Sequence, residues 1–211
     1  MEDKKAYVWN KHNLLVKGVA SRDPMRTMLN SVYFKNNKSM ACDSFRFIEI
    51  TASNEKVEDY PLVAGKKPIG IKNTLLTIQD VEKIKLPKSK NVPIINEAFV
   101  FLEEKERKVT LGMTDLSTSE TKELTTMEGE YPDIDSIKPK DESDHVSIHV
   151  NAKFLKEMLA IVEQFTASNE EGKSKIEIKI KKDNATAPMI MKATNNNTGQ
   201  ELYGLLMPVR A

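Results

Sequence analysis

The stretch Asn151-Ala-Lys-Phe-Leu-Lys-Glu-Met-Leu-Ala-Ile-Val-Glu-Gln-Phe165, followed after a polar interval by Lys175-Ile-Glu-Ile-Lys-Ile-Lys181, sets two hydrophobic periods side by side. In the first, helical spacing predicts a helix over Ala152–Phe165 that buries Phe154, Leu155, Met158, Leu159, Val162 and Phe165. Asn151 stands where an N-cap accepts from the first turn. The second alternates strictly, which predicts a strand with one apolar and one charged side. Ahead of the helix, His145–Val150 alternates as a strand. Behind it, Thr166–Lys173 is polar and flexible, and Met189–Ala193 and Leu202–Pro208 read as further strands. The unit is strand, helix, three strands.

The same order is legible twice upstream. In the first unit, Ala6–Trp9 is a strand candidate. A helix follows over Lys11–Ala20, with Leu14, Leu15, Val19 and Ala20 on one face. Met28–Lys35, Ser39–Cys42 and Arg46–Thr51 are strands, the first two joined by the turn pair Asn36-Asn37. In the second unit, Pro68–Lys72 is a strand. Asn73 or Thr74 caps a helix to about Leu86 that buries Leu75, Ile78, Val81 and Ile84. Pro87 ends it. Phe99–Leu102, Lys108–Met113 and Glu120–Met127 are strands. The repeat is one of element order, not of sequence identity. It implies that neighbouring units cover one another's sheets. Ser136–Asp144, rich in charge and proline, marks the boundary. Residues 1–139 form a two-unit domain and residues 140–211 a third unit.

Composition narrows the function classes. The 211 residues carry 32 Lys and Arg against 31 Asp and Glu, a net charge of +1. Binding of nucleic acid then depends on local placement of charge. The single cysteine, Cys42, excludes an internal disulfide or a cysteine zinc site and fits a reducing compartment. No apolar run has the length of a membrane span or a signal peptide, so a cytoplasmic location is expected. No phosphate loop, nucleophile triad or zinc pattern occurs, and no enzyme or cofactor is expected. His145 and His149, four apart on a strand, would lie roughly 13 Å apart at about 3.3 Å per residue and share no metal. Asp133, Asp135, Asp141, Glu142 and Asp144 lack the spacing of a calcium loop and read as a solvated linker. Cys42, with no histidine neighbour, reads as a structural thiol.

Three stretches carry a resemblance. Met25–Phe47 reads Met-Arg-Thr-Met-Leu-Asn-Ser-Val-Tyr-Phe and, after a turn, Met-Ala-Cys-Asp-Ser-Phe-Arg-Phe. Glu128–Pro139 reads Glu-Gly-Glu-Tyr-Pro-Asp-Ile-Asp-Ser-Ile-Lys-Pro, and Leu205–Ala211 reads Leu-Leu-Met-Pro-Val-Arg-Ala. Together and in this order they resemble the bacterial DNA polymerase III beta subunit, the sliding clamp family. That family has an arginine-led strand, an Ala-Thr-Asp-Gly-His-Arg-Leu loop, a Gly-x-Phe/Tyr-Pro-Asp segment and a Met-Pro-Met-Arg-Leu end.

The resemblance implies an α+β DNA-clamp fold of strand-helix-three-strand units, with antiparallel sheets outside and helices on one face. It implies a homo-oligomeric ring of twelve units, reached here with four chains of three. The ring would surround double-stranded DNA without reading sequence and serve as a polymerase processivity factor. A hydrophobic pocket for DNA polymerase and clamp-loader peptides would involve Leu29, Cys42, Ser44, Phe45, Arg46, Phe47, Pro139, Leu205, Met207, Pro208 and Val209. Where the family has threonine, glycine and histidine, this chain has Cys42, Ser44 and Phe45, a bulkier floor. Contacts to DNA would come from Lys11, Lys17, Arg22, Lys83, Lys85, Lys88, Lys153 and Lys156, interrupted by Glu82, Glu157 and Glu163. The competing reading is a clamp-derived module that binds such peptides as an adaptor or decoy without encircling DNA.

Overall fold

The computed structural model describes residues 5–139, 145–167, 175–182, 184, 186–196 and 198–209. The chain divides into two compact units, one ending at Ser136 and the other beginning at Ile137. Among the described residues, no helix is long and apolar enough to cross a membrane.

The first unit is an eight-stranded antiparallel sheet. Its strands are β1 (Trp9–Asn10), β2 (Ser31–Lys35), β3 (Lys38–Cys42), β4 (Phe47–Thr51), β5 (Thr74–Thr77), β6 (Ala98–Lys105), β7 (Lys108–Thr114) and β8 (Ser119–Met127). Their order in space is β1-β6-β7-β8-β5-β2-β3-β4. The two repeats exchange their first strands. β1 leaves β2–β4 to pair with β6, and β5 pairs with β2 on one side and β8 on the other. The sheet curls, because just beyond β4 Ser53 N donates to Val8 O at 3.0 Å, immediately before β1. A curl that brings the two edges together leaves less open edge to pair with other chains.

β6 shows why the sheet is buried on both sides. Phe99 and Phe101 point into one core, with Trp9, Phe34, Leu76, Leu111 and Met113. Ala98, Val100 and Leu102 point into a second, with Val8, Tyr60, Val63 and Ile95. Trp9 meets Phe34 edge-on at 5.0 Å, and Phe34 meets Phe101 at 5.6 Å. Such pairs each add about 0.5–1.5 kcal/mol beyond area burial.

The expected α+β clamp architecture, with a layer of helices on one face, is overturned. The molecule is mostly antiparallel sheet with few helices. The helix expected over Lys11–Ala20 is a short 3-10 helix, Asn13–Gly18. Asn13 is fully buried, and its amide reaches Ile50 O at 3.2 Å and Thr51 O at 2.9 Å. That anchorage draws the start of the segment onto the sheet. The helix expected from Asn73 or Thr74 to Leu86 is instead β5 followed by a single turn, α1 (Ile78–Glu82). Leu75 and Leu76 are both buried on a two-sided strand, an apolar run that periodicity cannot tell from a helix. The cap is Thr77, whose Oγ1 accepts from Asp80 N at 3.1 Å. Pro68–Lys72 is not a strand, although Ile69 N donates to Phe101 O at 2.7 Å.

The second unit has one full helix, α2 (Ala152–Thr166), and a three-stranded antiparallel sheet. Asn151 caps α2, its side chain accepting from Lys153 N and Phe154 N. The strands are β9 (Glu177–Lys179), β10 (Met189–Asn195) and β11 (Gln200–Leu206), in the order β11-β10-β9. Met189, Met191 and Leu206 form the core with Ile148, Val150, Leu155 and Met158. His145–Val150 is not a strand, so His145 and His149 are not sheet residues. Regular pairing of the alternating run Lys175–Lys181 is confined to β9. Periodicity marks which side chains share a face; a ladder also needs a neighbouring strand.

Candidate functional site

The site begins with the loop between β3 and β4. Asp43 organises it. Its Oδ1 accepts from Phe45 N at 3.1 Å and Arg46 N at 3.2 Å, and its Oδ2 from Arg46 Nε at 2.8 Å. The Arg46 side chain is the main reason the Asp43 carboxyl lies below its usual range. Ser44 sits in the left-handed region at φ 81, and its Oγ accepts from Arg26 Nη1 at 2.6 Å. Glycine is the residue that adopts such a φ without strain. The loop turns Phe45 outward, 91% exposed. Beside it lies a hollow of about 350 Å³ lined by Ala20, Ser21, Arg22, Asp23, Arg26, Asp43, Phe45 and Arg46.

Cys42, at the end of β3, is buried as expected of a structural thiol. Its Sγ accepts from the Tyr131 hydroxyl at 3.3 Å. Burial, with the Cys42 contact second, pushes the Tyr131 phenol well above its ordinary value. The Tyr131 ring stacks on Tyr33 of β2, centroids 4.8 Å apart and planes 29° apart. Gly129 has φ 141, and a Cβ there would lie 2.5 Å from Met28 Sδ. Only glycine lets the chain pass so close with that backbone. Gly129 and Tyr131 are therefore packed on Met28, Tyr33 and Cys42 of the Met25–Phe47 stretch, far away in sequence.

The eleven pocket residues divide between the units. Leu29, Cys42, Ser44, Phe45, Arg46 and Phe47 are in the first, and only Phe45 and Arg46 line the hollow. Leu29 is half-buried in a 3-10 turn whose carbonyl accepts from Ser21 N at 2.9 Å. Pro139, Leu205, Met207, Pro208 and Val209 belong to the second. There Leu205 on β11 is opposite Ile190, Met207 is 62% exposed, and Val209 N donates to His149 O at 2.8 Å.

The basic residues divide likewise. Lys11 pairs with Glu97, whose carboxyl is lowered first by Lys11 and further by Lys88. Arg22 pairs with Glu82 at 3.0 Å and Lys83 with Asp80 at 3.1 Å. Lys83 O also accepts from Lys122. Lys17 and Lys85 make no ion pair among the described residues. Of the six expected in the first unit, Lys11, Arg22 and Lys83 are thus paired with carboxylates. In the second unit Lys153 approaches Glu157 at 3.9 Å, and Lys156 is exposed.

Among the described residues, no cluster of three or more His, Cys, Asp or Glu could hold a metal. Asp141, Glu142 and Asp144 lie outside the described residues. Sequence reasoning missed the packing of Tyr131 on Tyr33 and Cys42, the buried amide of Asn13, and Asp23 and Arg26 in the hollow. For the hollow, Arg26 inside the quoted Met25–Phe47 stretch was the available signal. Compared with family models and with curated proteins, the chain matches none.

Proposed function

We propose that this chain is a DNA polymerase processivity factor of the sliding-clamp kind. In this reading it is a non-catalytic accessory protein of the cytoplasm. It assembles as a homo-oligomer around duplex DNA and captures short apolar peptides of a polymerase or clamp loader. The observation that carries the proposal is the packing of the two motif stretches: Tyr131 on Tyr33 and Cys42, and Gly129 on Met28. This packing closes the base of the β3–β4 loop and leaves Phe45 and its hollow open to a ligand. An exposed aromatic beside a concave surface is the usual form of a peptide anchor site. Lys17 and Lys85, with no ion pair among the described residues, suit weak, sequence-independent contact with phosphates.

The pairing of Arg22, Lys83 and Lys11 with carboxylates favours a second reading, an adaptor that binds the peptides without encircling DNA. Retention on plasmid separates the two. The protein, loaded with its polymerase and loader, should stay on closed circular DNA and run off when the circle is cut. Loss at the same rate from circular and linear DNA would remove the encircling function. A labelled polymerase C-terminal peptide should bind in fluorescence anisotropy, and Phe45→Ala should weaken it by about tenfold or more. Peptide binding without retention would support the adaptor. Neither would sink both readings.

A further inference from the structure

The first unit shows how one repeat completes another. In each of its repeats, the strand before the helix bonds on one side to its own last strand. In the first repeat that bond runs from Ser53 N to Val8 O; in the second, β5 pairs with β8. On its other side the same strand pairs with the opposite repeat, β1 with β6 and β5 with β2. The 3-10 helix and α1 then share one core.

The second unit contains a single repeat of this kind. Its residues 145–150 make the first bond, Val209 N to His149 O at 2.8 Å, and Ile148 and Val150 reach its core. The second bond has no partner among the described residues. β9, the counterpart of β2 and β6, is an edge strand that pairs only with β10 among the described residues. Phe154 and Leu159, expected in the core, are exposed instead, and α2 carries Phe154 and Ile161 at 53% and 61% exposure, seven residues apart and so on one stripe. Ile178 on β9 is 47% exposed.

We propose that the second unit pairs with the second unit of another copy of this chain. Each lends its 145–150 segment to the other's β9 edge and sets its α2 stripe beside the other's across a two-fold axis. The interface repeats, between copies, the one that joins the halves of the first unit. Only a like unit offers both an extended segment to lend and an edge to receive one, so the occupant is a second copy. Phe154, Ile161 and Ile178 become the seam. The inference rests on strand topology and stands whether or not the chain serves DNA.

Sedimentation of the full chain over a concentration series tests it. A species of twice the 23.9 kDa chain mass, or a multiple of it, is expected. Phe154→Glu and Ile161→Glu should each weaken association by about tenfold or more, because a carboxylate would be forced into an apolar seam. Both residues are exposed, so circular dichroism and the melting curve of the separated chain should not change. Mixed Phe154→Cys and Ile161→Cys chains should form an interchain disulfide on oxidation. A monomer at every concentration overturns the proposal, since the stripe is then covered within the chain or left bare. An oligomer that ignores both glutamates and gives no such cross-link also overturns it. These outcomes are separate from DNA retention and peptide binding.

Discussion

Replacing Asn13 by Asp changes one atom of a fully buried side chain and should be among the most damaging single changes in the molecule. The Asn13 amide donates to Thr51 O at 2.9 Å, and to Ile50 O and Ser39 Oγ at 3.2 Å. Its Oδ1 accepts from Asn10 N at 3.1 Å. An aspartate keeps the acceptor and removes the donors. The two carbonyls lose a partner, at a cost of about 1–3 kcal/mol. The ionised carboxylate would also face carbonyl oxygens with no cation beside it. Burial would then raise its folded pKa by roughly 2–3 units, each worth about 1.4 kcal/mol. The sum at neutral pH is about 4–7 kcal/mol, a large share of the roughly 5–15 kcal/mol that holds a domain together.

The sign with pH follows. A carboxyl whose folded pKa is raised destabilises more as pH climbs from its unfolded value, about 4, to its folded value, and then levels off. Below that window the acid is neutral and its hydroxyl can donate to Thr51 O. Urea unfolding of wild type and Asn13→Asp at about pH 4 and about pH 7 measures both parts. The gap between the proteins should widen by roughly 3 kcal/mol between the two pH values. An equal gap at both would mean the carboxylate is solvated or neutralised. A loss below about 1 kcal/mol at pH 7 would mean the amide bonds do not hold the segment to the sheet.

Burial pushes the Tyr60 phenol up to about 12. The stability from keeping it neutral is therefore full below about pH 10 and is lost as pH rises towards about 12. Tyr60→Phe should flatten the alkaline fall in urea midpoint, and an unchanged slope would count against the buried phenol. Gly129→Ala should cost about 1–3 kcal/mol from its left-handed φ and the Met28 contact. Adding Met28→Ala should recover only the steric part, and full recovery would show that the backbone is unstrained. Replacing both Lys17 and Lys85 by Ala should reduce the salt slope of plasmid retention by about 2, near 0.9 per lost phosphate contact. An unchanged slope would place the DNA contacts elsewhere.

α2 and its Asn151 cap were legible in the sequence because a long amphipathic period and a side-chain cap are local properties. Strands β3, β4, β7 and β10 were legible to within about two residues, for the same reason. The short 3-10 helix in place of the first helix was not legible, because a buried amide bonded to carbonyls of a later strand leaves no periodic mark. Nor was β5: Thr-Leu-Leu-Thr buried on both faces has no alternation to read. Of the site, the sequence marked Cys42 through Phe47 and the Gly-x-Tyr-Pro-Asp segment. It did not reveal that Tyr131 stacks on Tyr33, or that Asp43 folds the loop and turns Phe45 outward.

The sequence by itself determined which residues would be apolar neighbours along each segment and where the long helix starts. Those follow from side-chain spacing and caps, which act over a few residues. Only the tertiary structure decided that the first strands change places between repeats, that the sheet of the first unit is one curled layer of eight, and that β9 lies at the edge of its sheet among the described residues. Strand pairing joins backbone groups, which every residue carries alike, so the choice of partner is settled only when the whole core closes around it.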